Sequence, residues 1–193
     1  MKKILIINGH QPYSFSPGRL TQSLIETAAA TLQAKGYEVR YAKVSDYDVE
    51  AEVAKHQWAD AVLLQFPSNW MMVPWSCKKY IDEVYTAGMA GVFCDTDGRS
   101  AAAPKQNYGT GGLMHDKHYM LCATFNAPAE AFGNPAEYLF QGKSLDDLLF
   151  PVHCVYRFFA MHALPSFACY DVVKNPTIKQ DLADFAKHID KHF

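Results

Sequence analysis

The first sustained pattern in the chain is "KILIIN" (residues 3–8), an unbroken run of mostly branched apolar side chains. Such a run predicts a strand covered on both faces, as in a parallel sheet, where an exposed face would show alternation. A polar loop, "GHQPYSFSPG", follows, and then Leu20, Leu24, Ile25, Ala28 and Leu32 recur at helical spacing until Gly36 supplies a stop. Residues 37–44 alternate as a strand does, 49–59 suit a short helix, and "AVLLQF" (61–66) is a second fully apolar strand. Pro74 is well placed to open a helix that Gly88 ends. "HYMLCATF" (118–125) predicts a fourth strand, and residues 144–164 a helix that Pro151 kinks or begins. "SFACYDVV" (166–173) predicts a fifth strand, and residues 175–193 a closing amphipathic helix.

Strands alternating with helices predict an α/β fold with a five-stranded, doubly wound parallel sheet and helices on both faces. The expected strand order is 2-1-3-4-5, the flavodoxin-like arrangement, with residues 1–193 forming one domain. Residues 88 to about 117 are Gly-rich, polar and without period, and read as a long loop or insertion of functional or interfacial use.

Ligands of such sheets bind beyond the carboxyl ends of the strands. The first of those loops holds neither GxGxxG nor GxxxxGK, which excludes the dinucleotide and triphosphate fingerprints. It does hold Ser14, Ser16, Gly18 and Thr21 around a helix start, where hydroxyls and free N–H groups can hold a phosphate. The competing role for Ser16 is a plain helix cap. The second loop, "FPSNWMMVPW", puts Trp70 where a large aromatic flanks a planar ligand, with Met72 and Trp75 expected to turn inward at the helix start. The third, "TFNAP", offers the aromatic Phe125, then Asn126 and backbone amides. A phosphate loop with two aromatic walls points to a flavin.

Charge and cysteine usage narrow the classes. With 18 basic against 20 acidic residues the net charge is -2, so nothing marks a nucleic-acid partner. Five scattered cysteines without a CxxC pair fit neither a disulfide framework nor a zinc site, and a reducing, cytoplasmic setting fits them best. His188 and His192 lack a third ligand, so no metal is expected. No stretch reaches the roughly 20 apolar residues of a transmembrane helix, which leaves peripheral membrane contact open.

The stretches "ILIING" with "SPGRLTQSL", "WADAVLLQFPSNWMMVPWSCKKYIDEVYTAG", "KQNYGTGGLM", "YMLCATFNAPAEAF" and "ALPSFACYDVVKNP" carry a further reading. Over nearly its whole length the chain resembles the bacterial modulator of drug activity B family, within the NAD(P)H:quinone oxidoreductase group of flavodoxin-like proteins. The resemblance implies FAD, NADPH or NADH as hydride donor, a quinone substrate, a homodimer and ping-pong, two-electron reduction that protects against quinone redox cycling. It also implies that Ser16, Gly18, Arg19, Leu20, Thr21 and Ser23 hold the diphosphate end of FAD. Pro67, Ser68, Asn69, Trp70 and Met71 would take the isoalloxazine; Thr124, Phe125, Asn126 and Ala127 its other edge; and Tyr108 the adenosine side. Segment 88–117, with Tyr108, is expected to cover that adenosine half. Tyr108, Asn126 and His153 are the candidates for catalytic assistance, with His118 behind them. The chain departs from the family at Ser68-Asn69, where a Gly and a second Trp are expected, and at Val73, where a Gly is expected. The alternative is a flavodoxin-like electron carrier with FMN and protein redox partners.

Overall fold

A computed structural model describes residues 2–193. The order is β1 (Lys3–Asn8), α1 (Arg19–Ala34), β2 (Glu38–Lys43), α2 (Val49–Trp58), β3 (Ala61–Pro67), α3 (Trp75–Tyr80), β4 (His118–Thr124), α4 (Leu145–Leu148), α5 (Phe150–Phe158), β5 (His162–Ala163), β6 (Phe167–Cys169) and α6 (Ile178–His192). The strands are parallel and ordered β2-β1-β3-β4-β5, with β6 also paired to β4. This is the expected flavodoxin-like sheet.

The apolar runs fill both faces. Leu5, Ile7, Val62, Leu64 and Phe66 meet the α3 and α5 side, while Ile4, Ile6, Leu63 and Met120 meet α1 and α6. β2 is one edge, and there Glu38, Arg40, Tyr41 and Lys43 are exposed while Ala42 alone is fully buried.

The structure differs from the sequence reading at two elements. The helix predicted to run to residue 164 stops at Phe158, where Ala160 turns the chain at φ 66 and His162–Ala163 pair with His118–Tyr119. The fifth position of the sheet is therefore filled by two pieces, β5 and β6, divided around Pro165, each satisfying a different part of β4's open edge. The other difference is in the helix after β3, where α3 passes into a π turn over Ile81–Tyr85. The turn brings the hydroxyls of Tyr80 and Tyr85 into the core, the first bonded to Glu52 at 2.7 Å and the second to Tyr156 at 3.0 Å.

Every helix returns antiparallel to its strand, so the N-termini of α1, α3 and α5 stand at the carboxyl ends. Segment 88–117 starts at the far end of the π turn and leads into the beginning of β4. It is anchored at that amino end by Met114 N–H donating to Phe159 O (2.9 Å) and by Tyr108 packing on Phe158.

Candidate functional site

The loop from β1 to α1 is held from below. Gly9 N–H donates to Gln65 O (2.8 Å), His10 N–H donates to Asn8 Oδ1 (3.0 Å), and Tyr13 and Ser16 exchange backbone bonds at 3.1 and 3.0 Å. Gly18 is the N-cap of α1, in the left-handed region at φ 85. No side chain caps this helix and no acidic residue lies in its first turn. The cap role considered for Ser16 is thus not realised. The first N–H groups, at Arg19 to Thr21, have no intrahelical acceptor and add to the positive end of the helix dipole. His10 lies against Gly18, 6% exposed, with Nε2 unpartnered. Burial lowers its pKa, a contact with the Ser16 backbone opposes this, and the Lys43 charge lowers it further. A Cβ on Gly18 would stand 2.7 Å from the His10 ring. Beside this cradle is a cavity of about 480 Å³ lined by His10, Gly18, Arg19, Ser23 and Lys43. Thr21 is buried beneath the turn, and Leu20 packs partly on the α1–α6 core.

The other flank of the same loop faces the turn after β3. Asn69 and Met72 bond reciprocally (2.8 and 3.2 Å), placing Trp70 at φ 49 and Met71 at φ 65. Two consecutive large residues with positive φ are strained, a feature that gathers at ligand-binding turns. Ser68 N–H donates to Thr124 O (2.9 Å), tying this turn to the end of β4. Trp70 is 91% exposed on this turn. Trp75 is 62% exposed and Met72 37%, which corrects their assignment to the core: helix α3 begins with Trp75 on its outer side while Cys77 and Tyr80 turn inward. Between the two loops lies a cleft of about 610 Å³ walled by Tyr13, Phe15, Trp70 and Trp75, with Ser16, Pro67, Ser68 and Asn69 on its border.

The end of β4 borders this region differently from expectation. Asn126 is exposed and Ala127 half-buried, but the Phe125 ring points into the core, edge-on to Phe132 at 5.3 Å and stacked with Tyr170 at 5.9 Å. Phe125 is a buried floor, and the second aromatic wall comes from Trp75, Tyr13 and Phe15 instead. Alternating inward positions explain this, because Ala123 and Phe125 share one face of β4.

Two catalytic candidates stand elsewhere. His153 is 4% exposed, bonded through Nδ1 to Tyr119 Oη (2.8 Å) and through Nε2 to Asp146 (3.1 Å), against the amino-terminal half of β4. Tyr108 is exposed at the amino end of the sheet, edge-on to Phe158 with Arg99 over its ring. Neither meets the cleft within one chain, and segment 88–117 likewise covers the far end. His118, also at the amino end, packs beside His162. Among the described residues no cluster of three or more His, Cys, Asp or Glu could hold a metal, and no helix is long and apolar enough to cross a membrane. Sequence reasoning missed His10, Tyr13, Phe15 and the outward Trp75; the aromatic pair in "QPYSF" was the available signal for two of them.

A family model described as flavodoxin-like fold matches residues 2–193. The chain is 43% identical over 191 residues to an NADPH:quinone oxidoreductase of Haemophilus influenzae, covering 98% of each chain. Among solved structures it resembles an NAD(P)H:quinone oxidoreductase from Methanothermobacter marburgensis (TM-score 0.69, 13% identity, 100% and 98% of the two chains). It also resembles a general stress protein 14 from Treponema denticola in complex with FMN (TM-score 0.66, 16% identity, 99% of each chain).

Proposed function

The chain belongs to the family of flavodoxin-like fold, and from that premise we propose that it is a flavin-dependent NAD(P)H:quinone oxidoreductase using FAD, with NADPH as donor. The observation that carries this reading is the pair of surfaces on one loop: an uncapped helix N-terminus on one flank and an aromatic cleft on the other. The residues present fit a flavin phosphate, since the cradle keeps its N–H groups free, keeps His10 Nε2 unpartnered and requires Gly18.

A bound flavin supplies the acceptor and donor of hydride. The chain's own task is to hold the planar reactants within roughly 3–3.5 Å in turn. Trp70 and Trp75, with Tyr13 and Phe15 across the cleft, would hold a planar ring, and the exposed Asn126 at the end of β4 would steady negative charge on the ring or the quinol. In this reading one cleft serves nucleotide and quinone in turn, the order of ping-pong kinetics, and the two-electron reduction would spare the cell quinone redox cycling.

The protein works as a homodimer in this reading. Exposed apolar side chains stand at both ends of the sheet, Phe15, Trp70 and Trp75 beside the cleft and Met89, Tyr108 and Leu113 on segment 88–117, and a two-fold interface along the side of the sheet would bring the second set against the first. Tyr108, far from its own chain's cleft, reaches a cofactor only across such an interface. Five free cysteines are consistent with the reducing cytoplasm of this reading.

The test is steady-state menadione reduction with NADPH and NADH, after reconstitution with FAD and FMN separately. The reading expects turnover with FAD and parallel double-reciprocal plots. Selective uptake of FMN without quinone turnover would support the electron-carrier alternative.

A further inference from the structure

Along the face of the sheet that meets α1 and α6, the inward positions are apolar: Ile4 and Ile6 on β1, Ala61 and Leu63 on β3, Met120 and Cys122 on β4. Gln65 continues that alternation and breaks its chemistry. It is 0% exposed, and neither its Nε2 nor its Oε1 has a hydrogen-bond partner. A buried, unpaired amide is destabilising relative to an apolar side chain of the same shape, so packing alone does not account for Gln at this position.

Its location does suggest an account. Gln65 lies in register with Asn8 on one side and Cys122 on the other, at the carboxyl end of the central strand. Its carbonyl accepts the Gly9 N–H, and Asn8 Oδ1 accepts the His10 N–H, so the pair Asn8–Gln65 fixes the first two residues of the cofactor loop. On the helix above, Thr21 is buried in the first turn of α1, whose outer N–H groups form the anion cradle. Polar groups thus collect in the single layer beneath the loop, while the layers below it are apolar.

We propose that Gln65 is a positioning residue for the phosphate end of the cofactor. Its buried amide, unpaired in the ligand-free chain, is available to pair with the β1–α1 loop and the first turn of α1 when a phosphate draws them in, and so holds the direction in which that turn presents its N–H groups. The cost is a less stable ligand-free protein. The proposal rests on the flavin reading above, but it makes a separate claim about phosphate recognition.

The experiment compares wild type with Gln65→Met, which has similar length and no amide, using flavin-free protein. Three ligands are titrated: FAD, riboflavin, which has the ring without phosphate, and inorganic pyrophosphate, followed by its effect on the melting midpoint. The expected results are a midpoint raised by roughly 3 °C or more in the unliganded variant, an FAD Kd weakened about tenfold, riboflavin affinity unchanged, and a smaller pyrophosphate-induced rise in midpoint. A merely structural Gln65 would weaken FAD and riboflavin alike, or neither. Either of those outcomes overturns the proposal, as does a lowered midpoint or failure of the variant to fold. If wild type binds pyrophosphate but neither flavin, the flavin reading fails while the role of Gln65 is judged on the pyrophosphate arm alone.

Discussion

Substituting Gly18 tests the cofactor cradle with a control built into the same helix. Gly18 and Gly36 bracket α1 at nearly equal φ, +85 and +82, but a Cβ on Gly36 meets nothing within 4 Å while one on Gly18 comes within 2.7 Å of the His10 ring. Gly36→Ala therefore measures backbone strain alone, about 1–2 kcal/mol for a residue forced into the left-handed region. Gly18→Ala carries the same strain plus an overlap that the 6% exposed His10 ring relieves only by shifting toward the neighbouring cavity. Overpacking of this kind adds about 1–3 kcal/mol, for a total of about 2–5. Removing the ring in the double variant His10→Ala/Gly18→Ala should recover the overlap and leave the strain, so the two sites should couple by about 1–3 kcal/mol. Urea denaturation of the flavin-free proteins measures the stabilities, and fluorescence titration gives the flavin affinities. Gly18→Ala should also weaken FAD binding, whereas Gly36→Ala should not. Equal losses from the two alanines, with coupling within about 0.5 kcal/mol of zero, would show that His10 does not pack against the helix start.

Trp70→Ala and Trp75→Ala should each leave stability within about 0.5 kcal/mol of wild type, as exposed side chains do, and each should weaken flavin retention. A loss of 3–5 kcal/mol at Trp75 would instead mark a buried ring. His56 is fully buried and its pKa is lowered to about 4, chiefly by burial. The unfolded chain binds the proton first, so stability should be complete above about pH 6.5 and fall by about 3 kcal/mol as pH drops toward 4. Denaturation midpoints across that range should flatten in His56→Phe. Co-refolding Tyr108→Ala with Trp70→Ala should restore turnover above either parent, since one site of the mixed dimer regains both side chains; no recovery would reject the contribution of Tyr108 across the interface.

Elements whose signal is local were legible in the sequence. "KILIIN" and "AVLLQF" are strands because residues covered on both faces show unbroken apolar runs, and α1 ends where Gly36 stands. Orientation at boundaries was not legible. Trp75 follows Pro74 in either reading, and only the turn closed by Asn69 and Met72 decides that it faces out. The same holds for Phe125, whose side is fixed by the register of β4, and for His162–Ala163, which leave a helical pattern because β4 offers an unpaired edge. Tyr108 shows the strongest limit: its place at the amino end follows from the path of 88–117 across the fold, which no local pattern encodes.

The central claim is that the cleft between Trp70 and the β1–α1 loop holds a flavin that passes electron pairs from a pyridine nucleotide to a quinone. An anaerobic two-step reaction tests it most directly. Protein reconstituted with FAD is bleached at the flavin band with one equivalent of NADPH, then mixed rapidly with one equivalent of menadione. The account expects full bleaching, then full recovery in a single phase with one quinol formed per flavin, and loss of both steps in Trp70→Ala. Bleaching that menadione does not reverse, or reversal undiminished by Trp70→Ala, would contradict it.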